Sequence, residues 1–190
     1  MASAASADEL SDFLSRWNAV EASRGDFHVR FIQEVSSPAL AKPSTSQGQL
    51  WRFRDGSFRW ELGQPPKSML IRREKSARYW EARVNVWKDI DPSDRRFQSW
   101  MPFVGGEGHD LAVLTKDFDV ALESAVLTLK PKSGMAKRHL KHIQLQFDES
   151  SMRLMQLKVE QMDGGATTMI FSAPEKTGTL DRNTLLGEGN

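Results

Sequence analysis

The sequence predicts an α+β fold: a single antiparallel β-sheet, strongly curved, with an N-terminal helix and short helices over its concave face. Three observations predict it. Apolar residues near the N-terminus recur at helical spacing, whereas most of the remaining chain alternates with period two in short segments joined by turn residues. One bulky stretch, Asp89 to Gly108, breaks that alternation. Strands joined by hairpins favour an antiparallel sheet. A sheet of this size curls, with one face packed and the other solvated. The apolar stripes of the helices then belong on the packed, concave side.

From Ala7 to Ser23, Leu10, Phe13, Leu14, Trp17 and Val20 form one stripe of an amphipathic helix. Asp8 and Glu9 suit its positive N-terminal end, and Gly25 marks its stop. Phe27, Val29, Phe31, Gln33 and Val35 alternate with His28, Arg30, Ile32 and Glu34 as a half-buried strand. Ser36 to Gln47, rich in Ser, Pro and Ala, reads as a loop.

The stretch from Gly48 to Pro66 reads as a hairpin about Asp55-Gly56, where glycine accepts the positive φ of the turn. Leu50, Arg52 and Arg54 share one face of its first strand, and Trp51 and Phe53 the other. In its second strand Phe58, Trp60 and Leu62 oppose Arg59 and Glu61. Strands follow over Ser68–Arg73 and Arg78–Trp87.

Asp91-Pro92 reads as a helix start, with Phe97, Trp100, Met101 and Val104 at roughly helical spacing up to Gly105-Gly106. Further strands are expected at Ala125–Lys130, Leu140–Phe147, Arg153–Gln161 and Thr167–Phe171, with hairpins at Asp148-Glu-Ser-Ser and Asp163-Gly-Gly. The chain is read as one domain, with a core over 8–174 and tails at 1–7 and 175–190.

At 190 residues, 39% hydrophobic and 27% charged, the chain can bury a real core. Its 26 basic and 25 acidic residues sum to +1, which argues against nucleic acid as a partner. The absence of cysteine removes thiol catalysis, zinc–thiolate sites and disulfides. No apolar run is long enough to span a membrane as a helix, and Met1–Asp8 lacks the basic and apolar regions of a signal peptide.

Chemistry-bearing motifs are scarce. There is no Gly-x-Ser-x-Gly elbow, and Gly105-Gly106-Glu107-Gly108 is not a phosphate-binding loop. His139 and His142, three apart, fall on opposite faces of a strand, which makes a poor metal pair. No catalytic residue, metal or cofactor is therefore expected. Two basic clusters stand out: six basic and two acidic residues from Lys67 to Arg83, and five basic residues with no acid from Lys130 to Lys141. They read either as solvated strand faces or as a docking surface for an acidic partner or anionic membrane. Six Trp, ten Phe and eight Met serve equally well as core or as the walls of a cavity for an apolar ligand.

The order of motifs goes further. After the helix come Phe27-x-Val-x-Phe31-x-Gln33, Gly48-x-Leu50-Trp51-x-x-Arg54, Phe58-Arg59-Trp60, Gln64-Pro65 and Met69-Leu70-Ile71. Later come Leu129-Lys-Pro131, Ile143-x-Leu145-x-Phe147-Asp148, Asp163-Gly164 and Thr168-x-Ile170-Phe171-x-x-Pro174. This series, from about Leu10 to Pro174, resembles the periplasmic outer-membrane lipoprotein carrier family, LolA. The match is poor over Val86–Phe118, and no lipobox cysteine is present.

The resemblance implies an incomplete β-barrel whose helices form a lid over a hydrophobic cavity. It also implies a periplasmic, monomeric carrier. Such a carrier accepts an acylated lipoprotein, or another lipid-like ligand, from an inner-membrane ABC-type release complex and delivers it to an outer-membrane acceptor. Arg54 matches the family's cavity arginine, which latches the lid. Leu50, Phe58, Trp60 and Met69 are expected to line the cavity, and Phe97, Trp100, Met101 and Val104 to belong to the lid. Carriage of another amphiphile on the same scaffold, or a sensor or enzyme built on it, remains open.

Overall fold

The computed structural model describes residues 6–74, 76–91, 101–105, 111–176 and 181–187. Helix α1 (Ala7–Ser23) runs over the predicted span. Its N-terminus is a capping box: Ser6 Oγ accepts from the Glu9 N–H, and Glu9 Oε2 accepts from the Ser6 N–H. Phe13, Leu14 and Trp17 form its buried stripe. Gly25, at φ +52°, then turns the chain into the sheet.

The strands are β1 (Phe27–Ser36), β2 (Ser44–Arg52), β3 (Phe58–Leu62), β4 (Ser68–Arg72), β5 (Ala77–Glu81), β6 (Val86–Ile90), β7 (Phe118–Glu123), β8 (Val126–Pro131), β9 (Leu140–Phe147), β10 (Leu154–Gln161) and β11 (Ala166–Phe171), with a short β12 (Glu175–Lys176). Their spatial order is β6-β5-β4-β3-β2-β1-β11-β10-β9-β8-β7, and every pairing is antiparallel. The N-terminal strand is thus central, with one meander on each side. The sheet is open: among the described residues no ladder joins β6 to β7.

Between those two edges the chain forms α2 (Met101–Gly105) and α3 (Leu111–Asp117). Because β6 finishes at one end of the sheet and β7 begins at the other, this connection passes from end to end. Helix α4 (Gly134–Lys137) joins β8 to β9, and α5 (Arg182–Leu186) closes the described chain.

One main core fills the concave side. Phe13 and Trp17 meet the Phe147 ring edge-on at 5.2 and 4.7 Å, and Phe31 stacks on Trp60 at 6.0 Å. Phe58, Leu70, Leu127, Leu129, Ile143, Leu145 and Leu157 belong to the same cluster. A second, smaller cluster lies on the convex side, where Leu186 of α5 packs on Phe53 and Ile71, with Trp51 and Trp87 at its margin.

Several elements differ from expectation. Ser44–Gln47, expected as loop, is the first half of β2, paired with Ile32–Val35; its polar, mostly exposed residues are held extended by the ladder to β1. The single strand expected over Arg78–Trp87 is a hairpin, turned at Asn85 with φ +52°. There Trp80 Nε1 donates to Asn85 Oδ1 at 3.2 Å. Strand β7 was missed although Phe118, Val120 and Leu122 alternate with Asp119, Ala121 and Glu123. The segment expected as a C-terminal tail includes β12, paired with Phe27 and His28, and α5, capped by Asp181 and by Gly187 at φ +67°. The helix start expected at Asp91-Pro92 leads into 92–100, outside the described residues.

Candidate ligand cavity

The concave face leaves a pocket of about 40 Å³ at the end of the sheet where β1 begins and β2 and β11 finish. Val29, Leu50, Leu154 and Phe171 supply the strand walls; Trp17 of α1 and Phe103 and Val104 of α2 lie over them. A water needs about 10–15 Å³ by this kind of measure, and small-molecule sites run to about 300–1,000 Å³. At this volume the pocket is too small for an acyl chain, which enters only if a helix moves off the sheet.

The polar boundary of the pocket is an ionic cluster between α1 and β2. Glu21 Oε1 forms an ion pair with Arg24 Nη1 at 2.6 Å, and Oε2 accepts from Arg52 Nη1. The Glu21 side chain is only 8% exposed, that of Arg52 13% and that of Arg24 19%. Both guanidiniums also lie over the Phe27 ring, at 5.4 and 5.7 Å. Burial pushes the Arg24 pKa down from its ordinary value; Glu21 opposes that shift, and Arg52 and Arg153 add to it.

On the outer side of this cluster is a larger cleft of about 350 Å³, bordered by Asn18, Ala22, Gly25 and Arg54. Glu21 and Arg52 line both spaces. Their ion pair stands between the two spaces.

The expected site residues are distributed as follows. Leu50 lines the pocket. Phe58 and Trp60 face the concave side, buried in the main core beside it. Met69 faces away: its sulfur lies 3.1 Å from Arg59 Nη2 on the convex side, where Arg59 Nη1 also donates to the Leu185 carbonyl of α5. Period two forces this, since Leu70 and Met69 cannot share a face.

Arg54 is also placed differently from expectation. Strand β2 stops at Arg52, so alternation ends before Arg54, which is exposed in the following turn. Its backbone N–H donates to Asp26 Oδ1 at 2.8 Å. Arg52, named in the sequence only as a strand-face residue, is the arginine at the cavity rim. Its partner Glu21 lies one helical turn beyond Trp17 on the α1 stripe, a signal that was readable but unused. Of the expected lid residues, Met101 and Val104 are buried in α2, and Phe97 and Trp100 lie outside the described residues. His139 is exposed, and no cluster of metal-ligating side chains occurs among the described residues.

Comparison with known proteins adds the following. The family model described as "Outer membrane lipoprotein carrier protein LolA" matches residues 23–184. A DUF1329 family protein from Desulfovibrio piger superposes with a TM-score of 0.56 at 12% identity, covering 94% of this chain and 96% of its own. An uncharacterized conserved protein from Thermus thermophilus gives a TM-score of 0.58 at 11% identity, with 93% and 92% covered. A chain of the MucA/MucB complex from Pseudomonas aeruginosa gives 0.50 at 15% identity, with 93% of this chain and 60% of that one covered. At such identities the three structures speak for the fold.

Proposed function

The chain belongs to the outer membrane lipoprotein carrier protein family LolA, and from that premise we propose that it is a periplasmic carrier of acylated lipoproteins. In this reading the acyl chains occupy the space between the concave sheet and α1 and α2. The observation that supports it is an apolar pocket between the concave sheet and two helices, with the buried Glu21–Arg52 pair standing between it and the neighbouring cleft.

Burying acyl chains contributes about 0.8 kcal/mol per CH₂ without demanding a shaped site. A soft apolar cavity is then sufficient, and the specificity of the cycle rests on when it opens. Parting Arg52 from Glu21 frees the C-terminal end of α1 and merges cleft and pocket. Arg52 here takes the latch role expected of Arg54. An inner-membrane release complex would load the open form, and an outer-membrane acceptor would empty it.

The test is periplasmic expression followed by mass spectrometry of what co-purifies, together with in vitro binding of a diacylated lipopeptide. Triacylated lipoprotein bound to wild type, and retained poorly by Arg52→Leu, is the expected result. Protein that is consistently ligand-free and does not bind the lipopeptide would overturn the reading. A glycolipid or other amphiphile in its place would keep the cavity and replace the cargo.

A further inference from the structure

The two ends of the sheet differ in a way that the cavity does not explain. Antiparallel connection places the loops 37–43, 63–67, 82–85, 132–139 and 162–165 together at the end remote from the pocket. Neighbouring loops of this rim touch. The Met162 N–H donates to the His139 carbonyl at 3.0 Å, a Cβ on Gly164 would lie 3.5 Å from the Pro38 ring, and the Ala82 N–H donates to the Lys67 carbonyl at 2.8 Å.

These loops carry Lys42, Lys67, Arg83, Lys132, Lys137 and Arg138 against Asp163 alone, in a chain whose whole net charge is +1. All six cations are exposed. Arg83 lies 3.5 Å from Glu81 and Lys132 3.8 Å from Asp119, whereas Lys42, Lys67, Lys137 and Arg138 carry no ion pair among the described residues. By contrast, the loops at the cavity end (24–26, 53–57, 73–76, 124–125, 148–153 and 172–174) hold acidic and basic residues in equal number.

The same rim presents bare apolar side chains. Leu40 is 46% exposed, Val84 49%, Met135 64% and Met162 56%, and Val86 follows at the root of the 82–85 turn. The other large exposed apolar residues among those described, Ile32 and Ile170, are a cross-strand pair on the convex face. Basic residues with single apolar side chains at loop tips suit a lipid interface: the cations meet anionic headgroups and the apolar tips reach the acyl boundary. An acidic protein would gain from the charge but not from apolar residues scattered around a ring.

We propose that this rim docks on the surface of an anionic phospholipid bilayer and presents the opposite, cavity-bearing end away from it. The docking goes beyond the carrier reading, because it requires no ligand in the cavity.

The test is co-sedimentation of the ligand-free chain with vesicles of phosphatidylcholine, with and without phosphatidylglycerol. Binding is expected only with phosphatidylglycerol, and should weaken with added salt. Each basic residue near an anionic surface contributes about fivefold in partitioning, so Lys137→Ala with Arg138→Ala lowers it by roughly 25-fold. Arg16→Glu, on the exposed side of α1, lowers the net charge by the same two units, serves as the control for net charge alone and is expected to change it by less than about fivefold. The exposed positions let all these variants fold, which circular dichroism verifies. Absence of binding to phosphatidylglycerol vesicles, or an equal loss in Arg16→Glu, overturns the proposal. Full retention of binding by Met135→Ser with Met162→Ser overturns the bilayer assignment in favour of a purely electrostatic, acidic partner. Since no acylated cargo is present, the outcome is separate from that of the lipopeptide experiment.

Discussion

Replacing Glu21 by Gln removes the charge that holds two guanidiniums together over the Phe27 ring, and its cost follows from the geometry. Glu21 accepts a charge-assisted hydrogen bond from Arg52 and forms an ion pair with Arg24, and such a bond contributes about 1.5–3 kcal/mol. Breaking a fully buried pair costs about 3–5 kcal/mol. Here the three side chains keep 8–19% of their exposure, so water recovers part of that, and a loss of about 2–4 kcal/mol is expected. At this chain length each kcal/mol moves Tm by roughly 2–4 °C, giving a fall of about 4–16 °C. Thermal unfolding measures it, and a double-mutant cycle with Arg52→Leu assigns it: contact predicts a coupling of about 1–3 kcal/mol. Binding of an apolar dye should rise in the Gln variant as α1 lifts at its C-terminal end. A Tm within about 1 °C of wild type, or effects of the two substitutions that simply add, would refute the latch.

Gly48→Ala is expected to destabilise by about 1–3 kcal/mol, read by urea unfolding, because a Cβ there would lie 2.2 Å from Phe31 Cζ and the ring is held against Trp60. An unchanged midpoint would show that the ring can shift freely. Asp148 accepts from the hydroxyls of Ser150 and Ser151 and from the Ser151 N–H, which hold its carboxyl down to about 2. Its stabilisation is therefore present above the unfolded pKa of about 3.9 and lost as pH falls through about 2. Asp148→Asn should flatten Tm against pH in that window, and a retained slope would assign it to other carboxylates.

The sheet and its order of turns were legible because period two is imposed by burial on one face. Phe27-Val29-Phe31 and Phe58-Trp60 could not be read otherwise, and Asp55-Gly56 marked its turn by a φ of +81°. What failed were places where a residue's state depends on a partner far along the chain. Ser44–Gln47 is a strand only because β1 lies beside it. Leu185 and Leu186 were too few to declare a helix until the convex face, with Phe53 and Ile71, gave them somewhere to pack. At the cavity the same rule decided the arginine. Alternation put Arg52 and Arg54 on one face, but where β2 ended could not be read from spacing, and two residues separate a cavity wall from an exposed turn.

That no ladder joins β6 to β7 among the described residues bears on the range of cargo in the proposed carrier. In a closed barrel the bore is fixed by strand number and stagger, and widening it means breaking a ladder. Here the curvature of the sheet is a soft coordinate. The two meanders can splay about the central β1 with every described interstrand hydrogen bond intact. In the carrier reading proposed above, cargo of different girth would meet one protein with an adjustable bore, and the pocket of about 40 Å³ would be its narrow setting.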